Sequence, residues 1–241
     1  MIKYIIFDFG KVLGYPKSGH WFITPKFLEL ISNKNVGINT IKEIIFQNKN
    51  LVKDDLPIHN LEQELNMFIN FYTVVLNVLG LDTSLAREIA YDKVYNNNEY
   101  ALYKDVKDIL SKLKDEYTLI MLTDNFPSIT NYLKYEDIYN LFDRIYISSI
   151  YETSKKENKF FDLVLTEYGI SGEETIFIDD SEANLDVGSK HGMNVLMLDR
   201  ENKKESKYTR ITNLNDLIKI CNMVKIKGGS DNDILSANSL N

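Results

Sequence analysis

Four short stretches, far apart in the chain, carry side chains suited to moving a phosphoryl group: Asp8-Phe9-Gly10, Thr123-Asp124-Asn125, Lys155 and Asp179-Asp180. A carboxylate such as Asp8 can attack phosphorus and form an acyl phosphate, splitting one hard displacement into two easier steps. Attack of an anion on an anion needs charge compensation. Mg²⁺ held by Asp8, Asp180 and a backbone carbonyl would supply it, because this ion takes one or two carboxylates and keeps waters and a phosphate oxygen. The Thr123 hydroxyl could donate to a phosphate oxygen, and the Lys155 ammonium could neutralise the transferring group. Taken singly the features are weak. An Asp after a strand commonly makes a turn, and Asp179-Asp180 before Ser181 could simply cap a helix. Their conjunction, in order and each in a loop, carries the argument.

The elements around these stretches say how they meet. Lys3 to Phe7 is a short apolar, β-branched run that stops at Asp8, as a buried parallel strand does where it reaches a functional loop. Thr118–Leu122, Thr175–Ile178 and Val195–Leu198 repeat the pattern, with Arg144–Ile147 a weaker fifth. Helical stretches separate them at Asp105–Lys114, Ser128–Tyr139 (broken), Asn158–Tyr168 and Glu182–His191. The alternation predicts βαβ units and a parallel sheet, whose strand C-termini line a shared crevice. The fold class is therefore α/β, a Rossmann-like three-layer core with a central parallel sheet.

Residues 15–100 read differently, with no convincing strand. Thr24-Pro25 gives a helix N-cap followed by proline, and Thr40-x-x-Glu43 and Asn60-x-x-Gln63 fit capping boxes. From Leu61 to Leu79 apolar residues recur at helical spacing, and Phe68, Phe71 and Tyr72 read as bundle core rather than a ligand box. The expected organisation is a core of residues 1–14 and 101–222, a helical cap of 15–100, and a mobile tail of 223–241.

With a net charge of −7 and pI near 5.1, the chain lacks the basic excess that a nucleic-acid partner wants. Lys203-Lys204 reads as a solvated face. Cys221 is the only cysteine, so no intrachain disulfide can form and a reducing compartment is the default. No signal peptide or membrane-spanning run is evident, which makes a cytoplasmic location the expectation. A monomer is likewise the default, with a small phosphorylated metabolite as the partner.

Ile5-Ile6-Phe7-Asp8-Phe9-Gly10-Lys11-Val12-Leu13, Met121-Leu122-Thr123-Asp124-Asn125, Ser148-Ser149 through Lys155, and Phe177-Ile178-Asp179-Asp180-Ser181-Glu182-Ala183-Asn184 together resemble the haloacid-dehalogenase-like (HAD) hydrolase superfamily. The resemblance covers most of residues 1–222 and implies a helical-cap phosphatase that depends on Mg²⁺. It implies Asp8 as nucleophile, Thr123 and Asp124 on the phosphate, Lys155 as charge clamp, and Asp180 as metal ligand assisted by Asp179. The carbonyl of Gly10 is implied as a further metal ligand.

One position departs from the pattern. Phosphatases of the superfamily usually carry a second Asp two residues after the nucleophile, which protonates the leaving oxygen; here it is Gly10. Losing a general acid/base costs about 10²–10⁴-fold in rate, most for primary alkoxides and least for acyl, aryl or anomeric sugar phosphates. A subset with Asp-x-Gly is implied to include working sugar-phosphate phosphatases. Lys11, His20 or His59 are candidates to compensate. Lys155-Lys156-Glu157 replaces the usual Lys-Pro, so the choice of Lys155 over Lys156 rests on spacing. Alternative readings are a phosphate- and metal-binding regulatory protein with weakened catalysis, and a 2-haloacid dehalogenase, although the superfamily's dehalogenases carry Tyr at the position of Gly10. A phospho-accepting receiver domain has its acidic pair before the acceptor, the reverse of the order here. Trp21, Phe22 and Tyr15 are the residues expected to line the substrate pocket, unless they only pack the cap on the core.

Overall fold

The computed structural model describes residues 1–34, 36–53 and 56–227. In chain order the elements are β1 (Tyr4–Phe7), β2 (Gly14–Pro16), α1 (Pro25–Ile31), α2 (Ile38–Gln47), α3 (Leu61–Val78), α4 (Ala86–Tyr95), β3 (Tyr100–Leu102), α5 (Val106–Lys114), β4 (Thr118–Thr123) and α6 (Ile129–Tyr135). They continue as β5 (Arg144–Ile147), α7 (Ser148–Tyr151), α8 (Asn158–Tyr168), β6 (Thr175–Asp179), α9 (Glu182–Lys190), β7 (Asn194–Leu198), β8 (Arg210–Ile211) and α10 (Leu214–Lys227).

Six strands form one parallel sheet in the order β5-β4-β1-β6-β7-β8. Alternating side chains feed two layers. Ile5, Phe7, Leu119, Met121 and Ile178 pack with residues of α5, α6 and α10. Ile6, Ile120, Leu122 and Phe177 pack with residues of α8 and α9 on the other side. Strands buried on both faces explain why these runs are continuously apolar rather than alternating. The three-layer α/β expectation holds.

The sheet also fixes where the chemistry goes. The chain builds outward from β1 through β4 to β5, then returns to β6 on the opposite side of β1. The strand order thus reverses at β1, and a crevice opens at the C-terminal ends of β1, β4 and β6.

Helices α1 to α4 make a separate apolar cluster around Phe27, Phe68, Phe71, Tyr72, Val75 and Ile89. Thr24 caps α1 by accepting from Phe27 N–H, and Asn60 caps α3 by accepting from Gln63 N–H at 3.0 Å. The Gln63 side chain reaches back to His59 N–H at 2.7 Å. Thr40 does not cap, because α2 begins earlier, at Ile38, with Gly37 in the cap position.

Two further expectations need correction. The stretch 15–100 is not free of strand: Tyr15-Pro16 belongs to β2, and Tyr100 begins β3, the two forming an antiparallel ribbon with register Tyr15↔Ala101 and Pro16↔Tyr100. Three residues, one of them proline, are too few to show a period of two. The chain enters and leaves the helical insert through this ribbon. At the other end, α10 runs to Lys227, so residues 223–227 are helical rather than tail; the rest of the proposed tail, 228–241, lies outside the described residues. Among the described residues no helix is long and apolar enough to cross a membrane.

The insert docks on the loop after β4. Phe126 enters the insert's cluster, with its ring 5.4 Å from that of Phe68. Beside it Glu64, fully buried on α3, accepts from Ser128 N–H at 2.7 Å and Ser128 Oγ–H at 2.5 Å. Burial pushes the Glu64 carboxyl up to about 7, against the opposing pull of those bonds and of Lys93. The native state therefore keeps a proton that the unfolded chain releases from about pH 4.5 upward. Stability owed to this group is present below that pH and is lost as the pH rises toward 7. The loss is on the order of 3 kcal/mol. Glu64→Gln should flatten the fall in urea-unfolding free energy between pH 5 and 7.5 in cation-free buffer; an unchanged slope would contradict the assignment.

Candidate active site

Asp8 follows β1, and its N–H donates to the Ile178 carbonyl of neighbouring β6 at 3.0 Å. Its Oδ1 lies 2.6 Å from Lys155 Nζ, and the same ammonium donates to Asp179 Oδ2 at 2.7 Å. Lys155 and Asp179 are fully buried. Asp179 also accepts from Ser181 N–H at 2.8 Å and from Asn184 Nδ2 at 3.1 Å, so the surrounding donors take up its oxygens.

Local structure brings Lys155 this far inward. β5 runs directly into α7, which ends at Glu152 in the left-handed region (φ 52°) and turns the chain back. The Asp124 carboxylate then accepts from Lys155 N–H at 2.9 Å, and Ser148 Oγ accepts from Asn125 N–H at 3.0 Å. The loops after β4 and β5 are thereby tied together.

Charge dominates this crevice. Oxygens of Asp8, Asp179 and Asp180 lie within 4.8 Å of one another. Burial pushes the Asp8 carboxyl up to about 7, Lys155 opposing and Asp179 adding to the shift. Burial also raises Asp124. For Lys155 burial alone would lower the ammonium's pKa, but the carboxylates of Asp179, Asp8 and Asp124 outweigh it and keep the group charged. One buried ammonium faces several carboxylates, a donor set of hard oxygens with surplus negative charge that suits a divalent cation.

Asp180 is the more accessible of its pair. Its carboxylate meets Lys204 Nζ at 3.0 Å and Lys11 Nζ at 3.8 Å, and Lys204 also donates to its backbone carbonyl. Lys204 is thus not merely a solvated face, as its sequence neighbourhood suggested; only Lys203 fits that description, pairing with Glu201 at the surface.

Asp8, Gly10, Lys11, Asp124, Lys155 and Asp180 line one cavity of about 350 Å³, closed on the insert side by Trp21, Phe22, Lys93, Glu99 and Tyr100. Most of the residues picked from sequence converge there. Lys155 rather than Lys156 is the buried lysine. Thr123 ends β4 and is buried, while Asp124, Asn125 and Phe126 form the adjoining cavity wall. Tyr15 instead stands in a neighbouring cleft, against Tyr103. His59 pairs with Glu152 at the surface, and neither it nor His20 lines the cavity. Sequence reasoning misread Lys204 and passed over Asn184, Lys93 and Glu99. Asn184 lay within a quoted motif, but Lys93 and Glu99 had no local signal.

Trp21, from the insert, stands beside the position of the usual acid/base. A Cβ built on Gly10 would lie 3.4 Å from Trp21 Cη2 and 3.8 Å from Asp8 Oδ2. A Cβ at position 10 thus meets the indole edge at ordinary van der Waals distance.

A family model described as haloacid dehalogenase-like hydrolase matches residues 2–192. No curated protein matches the chain. Among solved structures, the magnesium-bound HAD-hydrolase YfnB from Bacillus subtilis aligns at TM-score 0.70 and 16% identity, over 92% of this chain and 99% of that one. L-2-haloacid dehalogenase from Xanthobacter autotrophicus gives 0.65 and 16%, over 92% and 99%. A HAD phosphatase from Thermococcus onnurineus gives 0.61 and 16%, over 91% and 98%. At such identities the likeness shows the fold alone.

If Trp21 fills the acid's place, restoring the acid by itself will not help. Gly10→Asp should fail to raise, and should lower, turnover of an alkyl phosphate, with a drop in melting temperature. A gain of about a hundredfold or more, the low end of what a general acid contributes to rate, would show that the indole yields.

Proposed function

Because the chain belongs to the haloacid dehalogenase-like hydrolase family, we propose that this hydrolase is a Mg²⁺-dependent phosphatase acting on a small phosphomonoester through an aspartyl phosphate on Asp8. The observation that carries the reading is the cluster of Asp8, Asp179 and Asp180, whose oxygens lie within 4.8 Å of one another beside a buried lysine. Displacing a halide from carbon does not call for a bound cation, whereas phosphoryl transfer gains from one held at such a carboxylate cluster.

Asp8 and Asp180, with the Gly10 carbonyl, are the proposed holders of the cation. Asp179 is already bonded to Lys155, Ser181 and Asn184, and in this reading it organises the site. When bound, the cation would offset the charge of phosphate and carboxylate as they approach. Lys155 holds Asp8 Oδ1, which leaves Oδ2, on the Gly10 side, to attack phosphorus while the ester oxygen departs with its electron pair. Water then attacks the aspartyl phosphate, releasing inorganic phosphate and restoring the carboxylate. Thr123, Asp124 and Lys155 form the proposed phosphate side, Thr123 on the strength of its place at the end of β4. With no acid at position 10, the favoured leaving groups are those whose oxygen needs little protonation: aryl, acyl or anomeric.

Gly10 is no objection to a 2-haloacid dehalogenase reading, since a halide leaves without a proton, although the family's dehalogenases carry Tyr there. Purified protein assayed on p-nitrophenyl phosphate separates the two. Mg²⁺-dependent turnover is expected, removed by EDTA and reduced on the order of 10³-fold or more in Asp8→Asn. Halide release from 2-chloropropionate without Mg²⁺ would replace this reading with the dehalogenase. Folded protein active on neither would point to a binding protein.

A further inference from the structure

The carboxylate cluster also meets cations of a second kind, which are not buried. Lys204 places its ammonium 3.0 Å from Asp180 Oδ2, and Lys11 stands 3.8 Å from the same oxygen. Lys204 donates to the Asp180 backbone carbonyl as well. The Lys155 side chain is 1% exposed, whereas those of Lys204 and Lys11 are 40% and 56% exposed. A sealed ammonium is a permanent part of the site. One this open loses little when it lets go of its carboxylate, because water replaces the contact.

The loop after β7 holds Lys204 within reach and leaves its side chain room to move. Asp199 accepts from Lys204 N–H at 2.7 Å, and Arg210 donates to the Lys204 carbonyl. The backbone is thus pinned on both sides. The side chain borders a second cavity of about 370 Å³, which shares Lys11, Trp21 and Asp180 with the first. Asp199 and Glu201 also line it. An ammonium that leaves Asp180 therefore meets water and other carboxylates there rather than an apolar wall.

Asp180 is a proposed holder of the divalent cation, and an ammonium on its carboxylate opposes that role twice over. It takes up Oδ2, and it repels any cation arriving beside it. Orientation works the other way, since Lys204 also fixes how the carboxylate points. Aspartate is short and has few torsions to fix, so the gain from orientation is small beside the repulsion between an ammonium and a doubly charged ion a few ångströms off. Competition outweighs positioning.

We infer that Lys204, seconded by Lys11, is a resident competitor for Asp180: it holds the carboxylate when no metal is bound and sets how much free divalent cation loads the site. The inference rests on the Mg²⁺ reading of the cluster and concerns its affinity rather than its chemistry. Calorimetry on the full-length protein, freed of metal with EDTA and dialysed, tests it without recourse to activity. The unmodified protein is titrated with MgCl₂ beside Lys204→Met, Lys204→Arg and Lys203→Met. Lys204→Met should bind Mg²⁺ about fivefold more tightly or better, the relief expected on removing one partly screened charge at this range. Lys204→Arg keeps the charge and should stay close to the unmodified affinity. So should Lys203→Met, whose lysine pairs with Glu201 at the surface.

Equal or weaker binding by Lys204→Met overturns the inference while leaving a cation site in place. An equal gain in Lys203→Met does the same, because it would mark a general effect of net charge. Mg²⁺ bound by none of these proteins would sink the inference and the Mg²⁺ reading together, and p-nitrophenyl phosphate turnover would then show no dependence on the metal.

Discussion

Lys155 places a buried ammonium between Asp8 and Asp179, 2.6 and 2.7 Å away, and much of the architecture exists to keep it there. Without that cation, carboxylates at the ends of β1 and β6 would face each other across adjacent strands with nothing between them. With it they remain acidic neighbours in surplus, which makes the crevice attractive to a divalent ion. The parallel sheet follows from the same requirement. Pairing β1 with both β4 and β6 brings Asp8, Asp124 and Asp179 to one edge, and the left-handed turn at Glu152 returns the chain from β5 so that Lys155 can reach them.

The site divides by origin. The sheet supplies charge, and the helical insert supplies shape and hydrogen-bonding groups: Trp21, Phe22, Lys93, Glu99 and the neighbouring Tyr100 of β3. The two halves are joined by the short β2–β3 ribbon and by the docking of Phe126 and Ser128 against α3. Gly14, at the start of the ribbon, shows how closely the loop after β1 is folded: a Cβ there would lie 2.3 Å from the Phe9 ring, so the turn requires a residue without one.

What the sequence made legible follows the range of the interactions. Strands buried on both faces announce themselves as apolar runs, and the motifs at their ends were readable because strand C-termini in a parallel sheet converge. Asn60 and Thr24 were readable as caps because capping is local. The ribbon was too short to have a period. Thr40 and Glu43 had the right spacing but fell within α2 rather than at its start. Lys204 reaches Asp180 from 24 positions away, across a helix and a strand. Lys93 and Glu99 are only six residues apart, yet their burial together depends on where α4 and the ribbon settle around Phe22 and Phe68. No pattern of residue types carries that information.

The glycine at position 10 is then better understood with Trp21 than alone. A chain that had merely lost an acid would leave a gap beside Asp8, open to water. Here the indole edge lies 3.4 Å from where the Cβ would be, so an aromatic side chain borders that side of the cavity, with Phe22 and Tyr100 also in its wall. An apolar wall at this point can hold a leaving group in line with Asp8. On this view Gly10 and Trp21 are one arrangement, in which orientation against a rigid wall takes the place of proton donation, and the chemistry narrows to leaving groups that can depart without help.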